Sequence, residues 1–239
     1  MRIEKEAAVP SRATLERDLL LPTVRISCGG AWASGTVIAC TRDPDGSCVA
    51  RILTAGHAVA NGRTSGIQVS LFGPGQGVVE EVLAVRRAAC EEIDITLLEA
   101  RLSVPAFPAR IGDGSIGAGL FDEVWAVGCP LGSVPVPTSG RIVCTNRAVD
   151  GEVFWMFSAQ TIFGNSGGGV YAADTRRLVG IARGVFGYGP GESSAVPHLG
   201  VLVPADRIAS WLDEVGYGGI LGEGDVRPTS FLRPGALAR

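Results

Sequence analysis

Residues 161–171 read TIFGNSGGGVY, a single serine, Ser166, among four glycines and an asparagine, with the apolar EVFWMF upstream and VY directly after. A serine hydroxyl is a poor nucleophile at neutral pH and needs an adjacent base to take its proton. The chain offers two histidines, His57 in RILTAGHAV and His198 in VPHLG. Asp94, in EEIDITLLEA, sits between two isoleucines at the head of an apolar run. Each residue also has a purely structural reading. Glycine is the default residue of tight turns because it takes positive φ without steric cost, and the chain has 34 glycines in 239 residues, so a cluster is not rare here. A lone histidine is commonly satisfied at a strand end, and an aspartate commonly marks an edge or a turn.

The elements that must position these groups read mostly as strands. Short apolar or alternating runs recur between turn signals at 24–27, 36–40, 49–53, 67–72, 78–85 and 95–98, and again at 123–128, 140–145, 153–158, 168–171, 178–185 and 201–203. Between the two sets, VPAFPARIGDGS reads as a linker. The expected fold class is all-β, with two six-stranded antiparallel β-barrels packed together, a solution that minimises exposed edges. Two helices are expected, at 11–20 behind an N-capping serine and at 204–215, where Ile208, Trp211 and Leu212 share one face. The expected division is an N-terminal helical extension (1–22), a first barrel (23–103), a second barrel with the C-terminal helix (104–216) and a flexible Gly/Pro-rich tail (217–239).

Hydrophobic residues make up 46% and charged residues 19% of the chain, which excludes a disordered class. With a net charge of −3 and no basic patch interleaved with aromatics, nucleic acid is not an expected partner. No run approaches the roughly 18 apolar residues of a membrane span, and the N-terminus shows no signal-peptide core, so a soluble, cytoplasmic protein is expected. The six cysteines show no zinc-site spacing, and neither metal nor cofactor is expected. Reduced thiols are expected, with Cys40 and Cys48, flanking TRDPDGS, as the pair best placed to bridge.

The segments SGTVIA…ILTAGHAV, DITLLEA and GNSGGGV…LVGIARG…GVLVP, in that order, resemble the trypsin-like serine peptidase family, and its bacterial HtrA-type branch more than the digestive enzymes. The likeness runs from about residue 24 to 212. It implies peptide-bond hydrolysis through an acyl-enzyme, with His57 as general base, Asp94 as its orienting carboxylate and Ser166 as nucleophile, meeting where the two barrels abut. It further implies an oxyanion hole made by the amides of Gly164 and Ser166, and a specificity pocket near Gln160, Thr161, Arg183, Gly184, Val185, Leu199 and Gly200. No acid stands at the matched pocket base, so Lys or Arg selectivity is not expected. HtrA-type similarity implies small or medium apolar side chains before the cut, while Arg183 leaves an acidic preference open.

Two departures from the family pattern stand out. Asn165 replaces the aspartate that pairs with a freshly cut N-terminus, so no zymogen cleavage is expected. Gly169 replaces the usual proline after GNSGG, which leaves local rigidity open. HtrA-like proteins often carry PDZ modules. The tail after Leu212 is too short for one, so a protein partner or the segment 1–21 is the expected regulator, and a protein or peptide the expected substrate. Two rivals remain at this point. Gly164–Gly168 also fits the G-x-S-x-G elbow of α/β-hydrolases, with Ser166, Asp174 and His198 in that family's chain order. Alternatively, the fold is kept as a catalytically silent binding or scaffold module.

Overall fold

The structure is a computed structural model that describes residues 10–60, 66–111, 118–188 and 194–221. Six strands form the first sheet: β1 (Thr23–Cys28), β2 (Ala31–Arg42), β3 (Cys48–Ala55), β4 (Ile67–Phe72), β5 (Val78–Cys90) and β6 (Ile95–Leu102). They close into an antiparallel barrel in the order β1-β2-β3-β6-β5-β4. The second sheet holds β7 (Arg110–Ile111), β8 (Glu123–Gly128), β9 (Val136–Val149), β10 (Glu152–Phe157), β11 (Gly169–Ala172), β12 (Arg177–Tyr188) and β13 (Ser194–Pro204). Pairing of β11 with β12 closes six of these into a second antiparallel barrel, and the two-residue β7 adds in parallel to β12. The all-β, two-barrel expectation therefore holds. The expected linker is partly structured: Ala109 donates its amide to the Val37 carbonyl at 2.8 Å before the chain enters β7. Residues 112–115 of that segment lie outside the described residues.

Each barrel has its own apolar interior, and a third cluster joins them. Ile38, Leu53, Ile93, Ile95 and Leu97 from the first half pack with Val127, Phe154, Tyr171, Ile181 and Val201 from the second. Helix α1 (Arg12–Leu15) is capped by the Ser11 side chain accepting from the Thr14 amide, and continues as a wider π-type turn over Glu16–Leu20. Helix α2 (Ala205–Glu214) buries Ile208, Trp211 and Leu212, the predicted face, in the same junction. Past its end, Tyr217 and Ile220 also pack against that cluster, so the start of the expected flexible tail is packed, while 222–239 lie outside the described residues. All six thiols are free. Cys40 and Cys48 do sit on one hairpin but are offset, Cys40 opposing Ala50 and Cys48 opposing Arg42. Burial, with Cys48 adjacent, pushes the Cys40 thiol up to about 11.

A buried charge fastens the N-terminal segment. Asp18, only 4% exposed, receives Arg17 Nε at 2.7 Å and Arg176 Nε at 3.1 Å, with Arg110 at 3.8 Å. Burial acts to raise its pKa, but the bonds from Arg17 and Arg176 and the charge of Arg110 outweigh it and hold the carboxyl below its ordinary 3.8. A carboxyl depressed by folding stabilises fully above its unfolded pKa, and that contribution fades as the pH falls through the folded value. Asp18→Asn is expected to cost roughly 1.5–3 kcal/mol at pH 7 in urea unfolding, the range for hydrogen bonds to a charged group. The gap from wild type should narrow on acidification below pH 3.8. A gap independent of pH would show that the charge contributes nothing.

Candidate active site

β3 ends at Ala55, Gly56 follows, and His57 opens a short 3-10 turn, His57–Val59. Across the same barrel Asp94 immediately precedes β6, whose Ile95 pairs with Ala55. The fully buried side chains of Ile93 and Ile95 anchor this corner in the inter-barrel core, and Asp94 adopts φ 55 between them. Its backbone carbonyl accepts the Gly56 amide at 2.9 Å. Its carboxylate then holds the next residue twice: Oδ1 accepts the His57 amide at 2.7 Å, and Oδ2 lies 2.7 Å from His57 Nδ1. The carboxylate thereby fixes both the position of the histidine and the orientation of its ring. Asp94 is 14% exposed at the side chain and His57 55%, so the pair runs from a dry end to a wet one. Burial acts to raise the Asp94 pKa. His57, by hydrogen bond and charge, outweighs it, Arg183 adds to the effect, and the carboxyl is held below its ordinary value.

Ser166 reaches this corner from the second barrel. It lines a cleft of about 450 Å³ together with His57, Asp94 and Arg183. A second hollow of about 400 Å³ shares His57, Ser166 and Phe163 with the first and continues past Trp32 and Leu131. The two form a groove running to both sides of the serine. The glycines around Ser166 have specific causes. Gly164 (φ 95) and Gly167 (φ 91) are in the left-handed region, where L side chains are strained. A Cβ at Gly164 would meet the Leu131 amide and Cys129 carbonyl, and one at Gly167 would meet the Ser34 carbonyl and Thr54 hydroxyl. Gly169, where the family pattern has proline, lies under the Tyr171 ring, which a side chain there would displace. The Phe163 carbonyl is taken by the Leu131 amide at 2.9 Å, and the amides of Gly164 and Ser166 bond to no described residue.

Three hydroxyls escaped the sequence reading. Ser34 Oγ donates to the Gly164 carbonyl at 2.7 Å and accepts the Cys129 amide at 2.7 Å, while the Ser34 amide donates to the Ser166 carbonyl at 2.9 Å. Thr36 Oγ1 donates to the Gly167 carbonyl at 3.1 Å, and Thr54 Oγ1 to the Ser34 carbonyl at 2.7 Å. All three are fully buried, and all belong to the first barrel. Their signal is a polar residue at an inward position of an otherwise apolar strand, as in ASGTVIA and RILTA.

Of the residues expected to shape specificity, Arg183, Gly184 and Val185 line the cleft, and Gln160, Thr161, Leu199 and Gly200 do not. Thr161 is buried, its hydroxyl bonded to the Ala159 carbonyl, and Gln160 is exposed. Gly200 abuts the Phe157 ring. Leu199 falls in a bulge of β13, where the partners of Val185 and Phe186 jump from Gly200 to Val196. Ile162, Phe186, Arg147 and Glu91 occupy the walls instead. Arg183 does more than line: its Nε lies 3.4 Å from Asp94 Oδ2, and its guanidinium lies over the Phe154 ring at 4.9 Å. Neither Asp174 nor His198 lines either hollow, and the closed antiparallel barrels leave no nucleophile elbow between a parallel strand and a helix. The α/β-hydrolase reading is therefore set aside. The described residues 10–21 line neither hollow, and residues 1–9 of the N-terminal segment lie outside the described residues.

Two antiparallel barrels with a histidine–aspartate pair and a glycine-framed serine lining one cleft have the architecture of the two-barrel serine hydrolases. A family model described as a trypsin-like peptidase domain matches residues 33–181, well over half of the chain, and the chain belongs to that family. A search of curated proteins finds no match. Among the described residues no helix is long and apolar enough to cross a membrane, and no group of three potential ligands could hold a metal.

Two substitutions test the geometry. Ser34→Ala removes a buried hydroxyl with two partners and is expected to lower stability by about 1–3 kcal/mol in thermal or urea unfolding. A neutral effect would show that the seam is dispensable. Arg183→Ala is expected to raise the pKa of Asp94, read by carbon NMR of the aspartate carboxyls. An unchanged value would show that the guanidinium does not act on it.

Proposed function

We propose that this chain is a serine endopeptidase of the HtrA-like kind, hydrolysing peptide bonds through an acyl-enzyme. Ser166 attacks the carbonyl, His57 takes its proton and returns it to the leaving amine, and Asp94 keeps the imidazole in the tautomer with Nδ1–H and stabilises its charged form. The amides of Gly164 and Ser166 receive the oxyanion, where loss of one donor typically costs ~10²–10³ in rate. The observation that carries this reading is the double grip of Asp94 on the His57 amide and ring, beside Ser166 in one cleft. The groove on both sides of Ser166 supports cutting within a chain. In this reading 23–103 supplies the base and its carboxylate, 104–216 supplies the nucleophile, and a protein or peptide is the substrate.

No zymogen cleavage is required in this reading. Asn165 is buried and uncharged, with Oδ1 unpaired among the described residues, so no ammonium is needed to neutralise that position. A fluorophosphonate probe should label the full-length chain. Labelling should vanish in Ser166→Ala, fall by at least about 10³ in His57→Ala, a triad loss, and persist in His198→Ala. Activity confined to an N-terminally trimmed form would overturn the zymogen statement. Absence of labelling with any partner present would favour the silent scaffold.

A further inference from the structure

Two guanidinium groups stand in the cleft beside Ser166, each over an aromatic ring. Arg183 lies over Phe154 at 4.9 Å, and Arg147 of β9 lies over Phe186 of β12 at 4.6 Å. Their electrostatic situations differ. Arg183 faces Asp94 at 3.4 Å, so its charge is largely met. Arg147 forms no ion pair with a described residue. The carboxylates in the cleft are Asp94, taken by His57 and Arg183, and Glu91, which is exposed and pairs with neither arginine.

A half-buried guanidinium held by a ring face keeps its planar fork of donors free at the edge. That fork matches a carboxylate in a bidentate fashion, and its fixed plane reduces the entropy lost on binding. The surrounding wall is apolar, with Val149, Phe186 and Val201 beside it, which strengthens a charge pair relative to open water. We propose that Arg147 makes this cleft select a carboxylate-bearing side chain in the stretch of peptide lying along Gly184–Gly187, so that the substrates are acidic peptides. This replaces the small apolar preference implied by the HtrA resemblance. The cleavage of such peptides rests on the peptidase reading, whereas their binding does not.

The test uses Ser166→Ala protein, immobilised and incubated with a random heptapeptide pool whose C-termini are amidated, the retained peptides being sequenced by mass spectrometry. Asp and Glu are expected to be enriched roughly tenfold over Asn and Gln, the effect of about 1.4 kcal/mol. Arg147→Gln in the same background should bring the ratio to about one. Arg147→Lys, which keeps the charge and loses the fork, should retain part of it, and thermal melts check that both variants fold. No enrichment, or enrichment that survives Arg147→Gln, overturns the proposal. So does enrichment seen only in a free-acid pool, which would assign the arginine to a chain-end carboxylate. Digestion of a proteome-derived peptide mixture by the wild-type chain is read separately. Cuts without acidic preference sink the selectivity and leave the peptidase; acid-selective capture without cuts sinks the peptidase and leaves the carboxylate site.

Discussion

The hydrogen-bond seam made by Ser34, Thr36 and Thr54 is the constraint on which the rest of the site depends. The apolar junction between the barrels supplies adhesion, but burial of apolar area has no direction and tolerates sliding. Buried polar groups do not. The Ser34 and Thr36 hydroxyls cross to carbonyls of the Ser166 loop, and Thr54 holds the Ser34 carbonyl from within the first barrel. A slip of one residue would strand several of these groups at roughly 1–3 kcal/mol each. The seam therefore sets the register between the barrel that carries His57 and Asp94 and the loop that carries Ser166. Oily contact holds the halves together; the hydroxyls decide where.

Within that register the charges are graded by solvent. Asp94 sits at the dry end, anchored by Ile93 and Ile95; its oxygens bond to the His57 amide and the His57 ring, and the Arg183 guanidinium faces it as an ion pair at 3.4 Å. An ionised carboxylate so placed would be costly without donors. With them it stays ionised, and the more exposed imidazole is oriented from behind while its other face meets the groove. One carboxylate thereby fixes a neighbouring turn, a ring and a cation from the opposite barrel.

Much of this was legible in the sequence, for reasons that can be named. Strands β4 and β8 appeared with their observed limits, because both are short apolar runs bounded by glycine, proline or charge. β5 and β9 run well past their predicted limits, since their outer residues alternate with solvent and leave no apolar signal. His57, Asp94 and Ser166 lie in local motifs that stand out in the sequence, and one cleft gathers them. Of the cleft lining, Arg183, Gly184 and Val185 were read from the sequence, while Gln160, Thr161, Leu199 and Gly200 were misplaced, because the lining depends on bulges. An unpaired residue shifts every later side chain to the other face of the sheet. Arg183 is such a residue in β12, between Ala182 opposite Leu202 and Gly184 opposite Val201, and a second irregularity removes Leu199 from the cleft. Spacing along a chain does not show which strand will absorb the extra residue.

Strand β12 brings these threads together. Ala182 exchanges hydrogen bonds with the loop that carries Ser166, its carbonyl taking the Gly167 amide at 2.7 Å and its amide reaching the Gly168 carbonyl at 2.8 Å. The next residue, Arg183, leaves the ladder and meets Asp94, and Gly184–Gly187 then form a wall of the cleft. Support of the serine loop, electrostatic support of the aspartate and the wall of the cleft thus fall on six consecutive residues of one strand. Gly184 faces the same site: a Cβ there would lie 3.9 Å from the Ser166 hydroxyl, in ordinary contact with it. The bulge that takes Arg183 out of the ladder is also the feature that turns a cation onto the Asp94 carboxylate.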